Sequence, residues 1–266
     1  MTADGTELEV KTVQDYKETK NQIVSVKIKN GVASLSRVLN KNKELFGIFD
    51  ADEMSLGDVA LSETANILDL SSYADPSLPS GYAKVFPRRL DGADLSTSDI
   101  LYVTYNSDGE IDSMFLNDIT GDGYSYGIVT DMKTTGSAAG SSASYTLNLS
   151  GNTASYSRAT IIGLAEGHPV SALMSGGMVS KLTKLRKLQP EIEKIENGYL
   201  HSEDGNVYQL GDNAVVYKHT RYSSNYNIVD IDDVDFEKGS FEYYYHGTLS
   251  KGARIRVIVW TVENNS

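Results

Sequence analysis

ILYVTYNSDGEIDSMFLND, residues 100–118, alternates apolar and polar residues on either side of Asp108-Gly109. Asn, Asp and Gly tolerate positive φ, so a tight turn there folds the stretch into a β-hairpin. The plan returns three times: IVSVKIKNGVASLSRVLN at 23–40, turning at Asn30-Gly31; PVSALMSGGMVSKLTKLRK at 169–187; and FEYYYHGTLSKGARIRVIVW at 241–260. Short turns at 96–99, 165–168 and 236–239 lead into the last three of these hairpins in chain order. Recurrence of one unit along a chain is the mark of a tandem array, and it decides the fold.

A second element recurs as well. Phe46-Gly47-Ile48-Phe49-Asp50 resembles Tyr126-Gly127-Ile128-Val129-Thr130, and Asn197-Gly198-Tyr199-Leu200 is a weaker copy. Between opening element and closing hairpin lies a middle strand, at 66–70, 145–149 and 206–210. The unit is therefore an opening strand, a middle hairpin, a tight turn and a closing hairpin. Short alternating strands at this spacing predict an all-β chain of small barrel or sandwich modules, each of about five strands. Three modules fit, at 45–123, 124–192 and 193–266. Residues 1–44 hold a closing hairpin without its opening half; they read as the tail of a preceding module or as strands completing the first. The chain reads as cut from a longer array. Residues 124–192 and 193–266 are expected to share one fold, with Gly127 and Gly198 equivalent and both at structural turns.

Composition narrows the function. The 24 Lys and Arg stand against 36 Asp and Glu, a net charge of −12. That balance disfavours nucleic acid and anionic membrane surfaces as partners. With no cysteine, thiol catalysis, thiolate metal sites and disulfides are excluded. No apolar run approaches 18 residues, and the first residues, MTADGTELEVKTVQDYKE, lack a signal-peptide core.

Candidate chemistry is sparse. LNDITGDG, residues 116–123, resembles the start of a calcium loop, with Asp118, Thr120 and Asp122 as candidate ligands. The twelfth loop position, where a bidentate Glu belongs, is Val129. The matching stretch one module earlier, LNKNKELFG, carries lysines. An inter-module turn is the preferred reading, with weak calcium binding as the alternative. His168, His201, His219 and His246 show no metal-ligand spacing, and no GxSxG, SxxK, GxGxxG or Walker A pattern occurs. The acidic run at 230–235 could offer paired carboxylates, but a solvated loop explains it with less. The basic run at 181–187 reads as a solvated strand face before a contact with an anionic wall polymer. Tyr222, Tyr226, Tyr243 and Tyr244 are candidate sugar-stacking residues, with strand packing the simpler account. Neither cofactor nor enzymatic activity is expected.

The phrases YGIVTD, GNVYQLGDNAVVY and ARIRVIVW resemble the tandem β-rich modules of large surface proteins of Gram-positive bacteria, which often also carry S-layer homology domains. The resemblance covers residues 45–260, and no S-layer homology domain is itself visible. It implies an extracellular, wall-associated scaffold that spaces or presents other domains, with wall polymer or neighbouring surface-protein domains as partners. A carbohydrate-binding adhesion module using exposed tyrosines is the alternative.

Overall fold

The structure is a computed structural model describing residues 11–12, 23–30, 32–38, 44–71, 81–137, 140–159 and 163–263. It is all-β: among these residues the only helices are single 3-10 turns. Two compact units divide the chain. The first is Met1–Gly123 with Ser250–Gly252; the second is Tyr124–Leu249 with Ala253–Ser266.

The first unit opens with β1 (Lys11–Thr12), β2 (Val24–Lys29) and β3 (Val32–Arg37), in the order β1-β3-β2. The β2–β3 hairpin turns at Asn30, whose φ of 52° suits Asn in a tight turn; Gly31 lies outside the described residues, as do residues 39–43 of the junction to the next module. β3 runs parallel to β1.

The larger sheet of this unit contains β4 (Gly47–Asp50), β5 (Ser55–Leu56), β6 (Val59–Ser71), β7 (Gly81–Val85), β8 (Asp94–Leu95), β9 (Ile100–Tyr105) and β10 (Ile111–Leu116). Its order is β8-β4-β5-β6-β10-β9, and β7 pairs with the far end of β6. The β9–β10 turn is the expected Asp108-Gly109 reversal, with Gly109 at φ 83° and Asn106 Oδ1 accepting the N–H groups of Asp108 and Glu110. One apolar core gathers Phe49, Leu56, Ile67, Leu95, Ile111 and Met114. Each such buried side chain contributes about 1.5–3 kcal/mol of transfer free energy.

The second unit holds two sheets. β11 (Ser125–Ser137), β12 (Gly140–Leu149), β13 (Asn152–Ala159), β14 (Pro169–Ser175) and β15 (Met178–Lys184) form the antiparallel order β13-β12-β11-β14-β15. β16 (Arg186–Lys187), β17 (Ile192–Glu196), β18 (Tyr199–Ser202), β19 (Val207–Thr220), β20 (Asn227–Val229), β21 (Ser240–Tyr245) and β22 (Ile255–Val262) form the order β16-β21-β22-β19-β18-β17, with β20 paired to β19.

Modules one and three are the matching pair. β4-β5-β6-β10-β9 and β17-β18-β19-β22-β21 are the same order, and β7 and β20 take the same place. In both, the last strand runs parallel to the long strand. In both, that ladder breaks identically. Leu61 faces Ile111 and Asn66 faces Ser113, so residues 62–65 stand opposite Asp112 alone. Leu210 faces Ile255 and Val215 faces Val257, so residues 211–214 stand opposite Arg256 alone. A bulge of this kind bends a long strand so that one sheet can curl around a core.

Module two departs from the expectation. Its closing hairpin meets β11 through the first strand, β14, antiparallel. Gly127 is not at a turn but inside β11, opposite Leu149 and Val170. Gly198 is at the β17–β18 turn with φ 79°. The two glycines are not equivalent: one is required by a close approach, the other by a left-handed backbone. The last strand pairing of module two ends at Lys184, because Arg186 and Lys187 pair with Tyr245 and Tyr244 of β21.

Candidate functional site

The loop that raised the calcium alternative is held by protein groups. Asp69, buried on β6, accepts the N–H of Ile119 (2.9 Å), the N–H of Thr120 (2.6 Å) and the Thr120 hydroxyl (2.6 Å). Burial pushes the Asp69 carboxyl above its usual range, and these donors offset that only in part. Arg89 Nε donates to Asp122 Oδ2 at 3.0 Å, its Nη2 to Thr120 O at 2.9 Å, and its Nη1 to Gly252 O at 2.6 Å. The guanidinium thus supplies the positive charge beside Asp122, and Thr120 Oγ1 also accepts the Asp122 N–H. Asp118 takes a left-handed turn conformation, φ 55°. Among the described residues no three His, Asp or Glu side chains converge as a metal site.

The turn before β9 is a second polar knot in the first unit. Asp99 Oδ2 accepts the Ser96 N–H (2.7 Å) and hydroxyl (2.6 Å), a capping box, and Lys251 Nζ lies 2.6–2.8 Å from both carboxylate oxygens. Burial alone would raise the Asp99 pKa; the bonds from Lys251 and Ser96 outweigh it and hold the carboxyl below its usual range.

The histidines are dispersed. His168 Nδ1 accepts the Ala165 N–H, His219 Nε2 meets Thr261 Oγ1 at 2.8 Å, and His201 lies on β18. His246 Nδ1 sits 2.9 Å from Ser171 Oγ, but Ser171 is fully buried and the His246 ring lies 4.5 Å from that of Tyr124. A nucleophile needs access to substrate, and this hydroxyl has none. The acidic run caps turns: Asp230 Oδ1 accepts the Asp232 N–H, and Asp235 accepts that of Glu237 and pairs with Lys238. In the basic run, Lys187 pairs with Glu242 and Lys184 donates to Gly163 O.

The four candidate sugar-stacking tyrosines do not share one exposed face. Tyr222 is 94% exposed, Tyr243 is buried, and Tyr226 and Tyr244 are half-buried. Tyr226 packs on His219, and the Tyr244 hydroxyl donates to Glu242. Burial raises the Tyr243 pKa to about 12.

The strongest constellation, which sequence reasoning missed, joins the two sheets of the second unit. Tyr124, Tyr126, Ile128, Leu173 and Leu185 share one core with Val215, Tyr217, Val257 and Val259. At its centre Tyr217 Oη donates to Asn148 O (2.7 Å) and accepts the Ser150 N–H (3.1 Å). Burial raises the Tyr217 pKa to about 12. Arg256, opposite the bulge, places its guanidinium 5.1 Å from the Tyr126 ring and bonds Asn213 Oδ1. Chemically this is a joint of aromatic packing and hydrogen-bonded polar groups.

Comparisons with protein-family models, with curated proteins and with solved structures found no match.

Proposed function

We propose that the chain is a non-enzymatic spacer, part of a bacterial surface protein, that holds other domains at a distance and resists pulling along its length. One observation carries this reading. In modules one and three the chain leaves from the middle of a sheet: β10 is bonded to β6 and β9, and β22 to β19 and β21. A strand ladder-bonded on both sides and drawn along its axis loads many hydrogen bonds together, whereas an edge strand peels away a bond at a time. β3, between β1 and β2, repeats the arrangement. The core shared by modules two and three adds stiffness between successive modules, and net negative charge favours solubility along an array. Extracellular, wall-associated placement is part of the proposal and rests on the resemblance of the repeats.

Stretching the purified chain by its ends tests the reading. A spacer yields in discrete unfolding steps separated by folded plateaus. Smooth extension without steps overturns it. The carbohydrate-binding alternative rests on Tyr222 and its neighbour Arg221, whose guanidinium lies 5.6 Å from the ring. Co-sedimentation with purified cell walls that Tyr222→Ala abolishes favours that alternative.

A further inference from the structure

Modules one and three share strand order and bulge, yet differ at the two ends of the path: β16 lies beside β21 where module one, among the described residues, has no strand beside β9, and module one has β8 beside β4. In module one β8 closes the gap beside β4: Gly47 faces Leu95 and Ile48 faces Asp94, extended by Phe49 N–H to Ala93 O and Gly92 N–H to Phe49 O. Ala93 and Leu95 point apolar side chains into the core. Ten residues, 90–99, separate the 3-10 turn Pro87–Arg89 from β9, and they include β8 and a second 3-10 turn, Thr97–Asp99. The corresponding segment of module three has six, 234–239. It forms no strand, and β17, the counterpart of β4, pairs only with β18 among the described residues. A cavity of about 430 Å³ lies at this place, with Ile192 and Ile195 of β17 on one side and Phe236, Phe241 and Tyr243 on the other.

We propose that this open seam is a docking slot for an edge strand, and that a second copy of this chain supplies the strand through its β2. Module one shows the shape of the missing piece: an extended segment with apolar side chains two residues apart. β2, VSVKIK, has that pattern in Val24, Val26 and Ile28, and among the described residues it is the edge of the sheet β1-β3-β2, with Ile28 60% exposed. Charge agrees as well. The slot's rim carries the exposed carboxylates of Glu191 and Glu193, while Lys187 and Lys194 are bonded to Glu242 and Glu196. β2 offers Lys27 between Val26 and Ile28, and Lys29 after Ile28. Strand addition to an exposed edge draws affinity from main-chain hydrogen bonds and selectivity from alternate side chains. Slot and strand belong to different units of the chain, so one contact between two copies is heterologous and leaves a slot on one copy and a strand on the other for further association.

Sedimentation velocity of the full chain across the micromolar range tests this. The expected result is a sedimentation coefficient that rises with concentration. Lys27→Glu or Glu193→Lys alone weakens the association, and the two together restore it. A synthetic peptide of residues 23–30 gives a readout independent of variant folding: it binds the monomer and blocks association, and its Lys27→Glu, Lys29→Glu version does neither. A chain that stays monomeric, an association indifferent to both charge reversals, or equal binding of the two peptides overturns the proposal.

Discussion

The hydroxyl of Tyr217 donates to the carbonyl of Asn148 across the joint between two sheets, and the same oxygen accepts the N–H of Ser150. Tyr217→Phe keeps the ring and removes both bonds, leaving two main-chain groups at the joint without this partner. A buried polar group so deprived costs about 1–3 kcal/mol. Urea unfolding followed by tyrosine fluorescence will show a lower midpoint for the second unit with an unchanged slope.

Gly127 and Gly198 separate two reasons for glycine. A Cβ on Gly127 would lie 1.9 Å from Asn148 O, main chain that cannot yield cheaply. A Cβ on Gly198 meets nothing within 4 Å, so only its φ of 79° resists substitution. Gly198→Ala therefore costs about 1–2 kcal/mol, and Gly127→Ala costs clearly more. Comparison of their thermal midpoints checks the order.

Asp99 supplies a pH dependence. Its pKa is lower folded than unfolded, so the unfolded chain holds the extra proton as pH falls from near 3.8. Its contribution is present in full above that value and is lost as pH falls through the folded pKa. Asp99→Asn removes it. The stability gap between the two proteins is largest near neutrality and closes in acid, as urea midpoints between about pH 2 and 6 will record.

All-β architecture was legible because alternation and turn residues are local signals: Asn30 and Asp108-Gly109 mark turns in the sequence and in the structure. Partner choice was not. Nothing in residues 59–71 says that β6 bonds β10 in parallel, since ladder partners are set by distant residues. Gly127 was misread for the same reason; the carbonyl that demands it lies on another strand. Asp69 carried a usable signal, a lone carboxylate within the apolar run NILDL. A buried charge of that kind implies dedicated donors, and they are in the inter-module turn at 116–123.

The central claim is that β22 resists force because it is bonded on both sides and loaded along its axis. The chain has no native cysteine, so paired cysteines give unique attachment points for optical tweezers. Handles at residues 207 and 262 grip opposite ends of the parallel pair β19–β22 and shear it; handles at 220 and 262 grip neighbouring ends and unzip it. The account predicts a higher rupture force for the 207–262 pull than for the 220–262 pull at the same loading rate. Equal forces, or a weaker sheared pair, would contradict it.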